Sequence, residues 1–239
     1  MNEEQLESRS LMDLARIIRE SKKLGIRLVL IGGYAVAAYT RGYRYTKDID
    51  LVADKPTIGK LKGLLSSLGY STRDTEFGLA GSKRLNQEFI DLHISVGKIH
   101  DISTGKNYPV DSTLFKNAKR LNVRGYYSKA TLLRAHVVSL ETLLVLKLMT
   151  IGRQKDAIDV LSLLLDRRNE VDLKSVAKMT EDAGLTKHLL NRVRDYARRL
   201  REGELARIWF SVTASRLPHI EKREIARFFV KLADLLRQP

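Results

Sequence analysis

The chain has 239 residues, with 43 Lys and Arg against 28 Asp and Glu and a formal net charge of +15. That field attracts polyanions, which makes nucleic acid a candidate partner; the other reading is charged helices serving solubility or thermostability. Cysteine is absent, excluding disulfides and thiolate metal sites. The polar N-terminus (Met1-Asn2-Glu3-Glu4) and the lack of any apolar run near the roughly 18 residues of a membrane helix point to a cytoplasmic protein without membrane contact.

In chain order, Leu6, Leu11, Leu14, Ile17 and Ile18 have helical spacing, which predicts a helix over 3–24 ended by Gly25. Residues 26–31 read as the first strand, 34–39 as a short helix, 48–53 as the second strand and 57–68 as a helix stopped by Gly69. Residues 70–94 read as strands with turns near Gly78 and Gly81, and the polar stretch from Gly97 to Gly125 as loops with one or two strands. A last strand is expected over 131–138, followed by a helix capped by Ser139 and running to about Met149. From Gln154 on every segment is helical: 156–165, 173–183, 187–200, 204–214 and 220–236, broken at Gly184, Gly203 and Pro218. The fold class expected is α+β: a mixed sheet with flanking helices, divided as a domain over 1–138 and an all-helical domain over 139–239.

Three carboxylates carry the chemistry. Gly32-Gly33 closes the apolar run Leu28-Val29-Leu30-Ile31, and Lys47-Asp48-Ile49-Asp50-Leu51 follows. Asp48 and Asp50 stand two apart in a strand, so they share a face and can share a metal. Like charges that close repel unless a cation neutralises them, and a hard, oxygen-seeking ion such as Mg²⁺ is the natural one. Glu88-Phe89-Ile90-Asp91-Leu92-His93-Ile94 alternates, placing Phe89, Asp91 and His93 on one face, where Asp91 can join the pair. A lone His beside an acid reads as a hydrogen-bonded neighbour, and no second His has ligand spacing to it.

A Gly-Gly turn, then Asp-x-Asp, then a lone Asp on a later strand, resembles the nucleotidyltransferase superfamily that includes DNA polymerase beta and the aminoglycoside nucleotidyltransferases. A second block, Lys147 followed by Arg153, Lys155-Asp156 and Asp159 after Ser139-Leu140-Glu141, resembles AbiEii-like and MenT-like nucleotidyltransferases. The resemblance implies a nucleotidyltransferase fold and metal-dependent, pyrophosphate-releasing transfer of a nucleotidyl group from an NTP such as ATP. Two Mg²⁺ ions, or Mn²⁺ in their place, would sit on Asp48, Asp50 and Asp91. The implied acceptor is RNA, a tRNA 3′ end foremost, and the implied biology a toxin with a cognate antitoxin. By the same resemblance Gly32 and Gly33 approach the triphosphate, Lys147 binds it, Asp156 orients Lys147 through a salt bridge, and Arg153 also contacts the nucleotide.

Arg41, Arg44 and Lys47 lie between the glycines and the carboxylates, where they can contact phosphate or form an exposed basic loop. Tyr43, Tyr45, Tyr126 and Tyr127 alternate with arginines, a pattern that stacks bases or fills a core. Tyr34 is larger than the small residue usual after such glycines, which is expected to alter the nucleotide pocket. The contrasting readings are a non-catalytic module of this fold that binds nucleic acid or a partner, and transfer to a small molecule or a protein. Three clustered carboxylates argue against the module, since without a cation they would repel a phosphate backbone.

Overall fold

Asn2 opens the first helix with a capping box: its Oδ1 accepts from the Gln5 backbone at 2.9 Å, and Gln5 Oε1 accepts from the Asn2 backbone at 3.2 Å. This computed structural model describes residues 1–54, 57–128 and 133–237, which divide into two compact units. The first comprises 1–38, 45–100 and 108–139, and the second 39–44, 101–107 and 140 onward.

In the first unit, α1 (Glu3–Lys23) buries Leu6, Leu11, Leu14 and Ile17 and packs on α3 (Ile58–Ser67). The strands are β1 (Leu28–Leu30), β2 (Ile49–Ala53), β3 (Ser71–Thr75), β4 (Gly78–Leu85), β5 (Glu88–Val96), β6 (Lys98–Asp101), β7 (Lys106–Pro109), β8 (Lys119–Val123) and β9 (Leu133–Val137). They form one mixed sheet in the order β3-β4-β5-β2-β1-β9-β8, with β6 paired to β5 and β7. β2 runs parallel to β5 and antiparallel to β1, so the two carboxylate-bearing segments are direct neighbours. Ile49, Leu51, Ile90, Leu92 and Ile94 are buried beneath them, at most 1 % exposed. The α2 helix (Gly32–Tyr39) leaves directly from the β1 end, and α4 (Ser112–Asn117) lies between β7 and β8.

In the second unit, α5 (Leu140–Met149) is buried along most of its length and packs on α6 (Gln154–Arg167), α7 (Leu173–Asp182) and α8 (Thr186–Arg201). α9 (Glu204–Thr213) and α10 (His219–Leu235) pack on α8. Trp209, Phe228 and Phe229 fill this core. No strand occurs after residue 139 among the described residues, which agrees with the expected fold class.

Several expectations need correction. Gly81 is not a turn: β4 runs through it, and the chain reverses instead at Asn86, whose φ of 59° supplies the left-handed corner. The 97–125 stretch holds three strands and a helix, because Asp111 caps α4 by accepting from the Leu114 backbone at 3.0 Å. The second helix starts at Gly32 rather than at residue 34, and β2 at Ile49, one residue after Asp48. Residues 131 and 132 of the expected last strand lie outside the described residues. Among the described residues no helix is long and apolar enough to cross a membrane.

Candidate active site

Strand alternation places the carboxylates. Along β2 and the residue before it, Asp48 and Asp50 are partly exposed while Ile49 and Leu51 are buried. Parallel pairing sets Asp50 opposite His93 on β5, and Asp91 lies two residues earlier on the same face. Asp91 Oδ1 accepts from Ser82 Oγ at 2.8 Å, across the β4–β5 pair. His93 Nδ1 lies 3.6 Å from Asp50 Oδ1, and its pKa is raised by the close Asp50 carboxylate and the field of the neighbouring acids, against the effect of burial.

Gly32 is shaped to Asp50. Its φ is +70°, and a Cβ there would lie 2.0 Å from Asp50 Oδ2 and 2.7 Å from Asp50 Cβ. Only glycine allows both the backbone angle and this approach. Because α2 begins at Gly32, the amides of its first turn, which a helix leaves without a carbonyl partner of its own, belong to Gly32, Gly33 and the two residues after them. Tyr34 is fully buried, and burial pushes its phenol far above the ordinary value. Its ring lies within the core.

Lys47 Nζ pairs with Glu88 Oε2 at 3.1 Å. The loop at Tyr126 and Tyr127 is held by the buried Glu7, whose carboxylate accepts from both backbone amides at 2.7 and 2.8 Å. The donor set of Asp48, Asp50 and Asp91 is all carboxylate oxygen, which fits a hard divalent cation in chemistry. Among the described residues, no three His, Asp or Glu side chains are already gathered closely enough to hold an ion.

The helical unit holds a second cluster. Lys147, 8 % exposed, lies 2.7 Å from Asp159 Oδ2 and 3.2 Å from Asp156 Oδ1. Arg44 grips Asp159 with two bonds of 2.7 Å, and Arg153 Nε lies 2.6 Å from Asp156 Oδ2. Burial alone would push the Lys147 pKa down, but Asp159 and Asp156 outweigh it and hold it above the ordinary value. Burial likewise opposes the charge on Asp159, yet Lys147 and Arg44 keep its pKa low. The Arg44 side chain, 14 % exposed, is thus engaged by Asp159. Arg41 pairs with Asp166 at 2.8 Å yet stays 75 % exposed, and Lys155 is exposed. Tyr43 donates to Asp166 at 2.8 Å and its ring packs 4.8 Å from Trp209, so it belongs to this core.

Sequence reasoning missed Ser82 and the Arg44–Asp159 pair. The Ser82–Asp91 bond depends on hairpin register, and Arg44 and Asp159 stand 115 positions apart.

Comparison with known proteins gives one family, described as nucleotidyl transferase AbiEii toxin, type IV TA system, which matches residues 14–236. Comparison with curated proteins gives no match. Among solved structures, JHP933 from Helicobacter pylori is similar at a TM-score of 0.50 and 15 % identity, covering 99 % of this chain and 92 % of that one. ANT(2″)-Ia in complex with adenylyl-2″-tobramycin is similar at 0.49 and 13 %, covering 72 % and 95 %. An antigenic nucleotidyltransferase-like protein from Paracoccidioides brasiliensis stands at 0.49 and 14 %, covering 87 % and 99 %.

Proposed function

The chain belongs to the AbiEii nucleotidyltransferase family, and from that premise we propose that it moves a nucleotidyl group from an NTP to an RNA hydroxyl, a tRNA 3′ end foremost, as a toxin restrained by a cognate antitoxin. One observation carries the reading: Asp50 on β2 and Asp91 on its parallel neighbour β5 share one face, with Asp48 just before β2 and Gly32 fitted against Asp50. The net charge of +15 favours a polyanionic acceptor.

In the reaction the acceptor oxygen bonds to the α-phosphorus, the α–β anhydride bond breaks, and pyrophosphate leaves. The obstacle is electrostatic, because an oxygen must approach a phosphate that already carries negative charge. Asp48, Asp50 and Asp91 would hold a divalent cation such as Mg²⁺, which when bound offsets that charge and acidifies the acceptor hydroxyl. Asp91 is assigned as the base that takes the hydroxyl proton, held in orientation by Ser82. The amides at the start of α2 donate to phosphate oxygens. Lys147 is assigned to the triphosphate and Asp156 orients it, with Arg153, Arg41 and Lys47 as further phosphate contacts.

The test is incubation with Mg²⁺, each α-³²P-labelled NTP and total tRNA, beside the Asp48→Ala/Asp50→Ala variant. Label on RNA that requires both acids supports the reading. Label only on protein or on a small molecule refutes the acceptor, and no label anywhere refutes the activity.

A further inference from the structure

The strand pairing that puts Asp50 and Asp91 on one face also lays out what stands beside them. On β5, Phe89, Asp91 and His93 share a face; on β4, Arg84, Ser82 and Ala80 lie directly opposite them. Phe89 is 45 % exposed, whereas Ile90, Leu92 and Ile94 on the other face are buried. A large apolar ring on the solvent side of a strand does nothing for the core beneath it. Arg84, paired across from Phe89, is exposed, and its Nε donates to the Asn86 carbonyl at 2.7 Å, which holds the guanidinium stem at the hairpin end.

The sheet order makes this position directional. Gly32 and the start of α2 follow β1, on the far side of β2 from β5. The triphosphate assigned to those amides therefore lies toward one side of the carboxylates. Phe89 and Arg84 lie toward the other, on β5 and β4. Along a strand, residues two apart are separated by about 6.8 Å, and directly paired residues on neighbouring strands by about 5 Å. A base stacked on Phe89 with its ribose directed along β5 would bring the ribose hydroxyl to Asp91. Its phosphate would then lie within reach of Arg84. Flat aromatic rings on an open sheet beside a basic side chain bind unpaired bases whatever their identity.

We propose that Phe89 and Arg84 form the acceptor platform, on which the terminal base of a single-stranded RNA 3′ end stacks so that its hydroxyl is presented at Asp91. This rests on the nucleotidyl-transfer reading above and adds the place and mode of acceptor binding.

The test measures binding rather than turnover. A short 5′-fluorescein single-stranded RNA is titrated with the full chain in Mg²⁺ without NTP, and the anisotropy compared for wild type, Phe89→Ala, Phe89→Trp and Arg84→Ala. Phe89→Ala is expected to weaken binding roughly five- to 150-fold, the value of one lost base stack. Phe89→Trp should retain affinity and show indole quenching on RNA addition. Arg84→Ala should weaken binding and flatten its salt dependence. NTP affinity, titrated separately, should not follow these changes. RNA affinity that is unaltered in Phe89→Ala, or a wild-type chain that ignores RNA, overturns the platform. Phe89-dependent RNA binding with no label transfer refutes the catalytic reading and leaves the platform standing.

Discussion

Gly32→Ala is the substitution whose consequence follows most directly from the geometry. An added Cβ would lie 2.0 Å from Asp50 Oδ2 and 2.7 Å from Asp50 Cβ, and ordinary contact begins near 3.4 Å, so the carboxylate must retreat by about 1.4 Å and, because rotation of the side chain does not move its Cβ, the backbone at the turn or at Asp50 must shift as well. The alanine must also hold a φ of +70°, which costs about 1–2 kcal/mol and lowers Tm by about 2–8 °C in a chain of this length. Gly25 provides the control. Its φ is +71° and nothing lies within 4 Å of its added Cβ, so Gly25→Ala carries similar strain without touching a carboxylate. Transfer of α-³²P-labelled nucleotide and thermal melts are measured on both. A displacement of about 1 Å at a reacting centre costs about 100-fold in rate. The expectation is a lower melting temperature for Gly32→Ala than for Gly25→Ala, since only the former meets Asp50 as well as carrying the φ strain, with a loss of transfer of about that size in Gly32→Ala and near-normal transfer in Gly25→Ala. Equal activities in the two variants would refute the reasoning that Gly32 is there to admit Asp50.

Asp159→Ala leaves Lys147 and Arg44 buried without their shared anion, which should cost about 3–5 kcal/mol and lower Tm by about 6–20 °C in a circular-dichroism melt; a shift below about 2 °C would show the cluster to be energetically idle. The same pair sets a pH window. The Asp159 pKa is lowered, so its contribution is present above the ordinary value of 3.8 and lost as pH falls through the folded value; the Lys147 pKa is raised, so its contribution is present below 10.5 and lost as pH rises through the folded value. Urea midpoints across pH should therefore fall at both ends in wild type, with the acid-side fall reduced in Asp159→Asn. Ser82→Ala removes the hydrogen bond that orients Asp91 and should lower kcat several-fold with little change in KM for the NTP; an unchanged kcat would remove Ser82 from the site.

The residues legible in the sequence were those whose signal is local. Asp48, Ile49 and Asp50 alternate within three positions, and the run from Phe89 to Ile94 states its own two faces, matching their exposure. Leu11, Leu14 and Ile17 announce a helix by spacing alone. What stayed hidden depends on pairing between distant segments. The opposition of Asp50 and His93 is set by parallel register, and that of Ser82 and Asp91 by a hairpin whose corner, Asn86, lies five positions beyond the glycine that looked like the turn. Gly81 misleads because nothing about its place requires a glycine: it lies within β4, where an added Cβ would make only ordinary contacts, 3.5 Å to Tyr70 and 3.6 Å to Leu92. Arg44 reads as a phosphate contact from its position beside the carboxylates, but its guanidinium is taken by an aspartate from a helix much later in the chain.

The central claim is that three carboxylates act as one unit in nucleotidyl transfer. Its most direct test compares transfer rates of the Asp48→Asn, Asp50→Asn and Asp91→Asn chains with that of the triple variant, each checked by its melt. Groups that work as a unit give strongly non-additive losses, so each single substitution should reduce the rate nearly as far as all three together. A single variant that keeps most of the wild-type rate, or losses that simply multiply toward the triple, would contradict it.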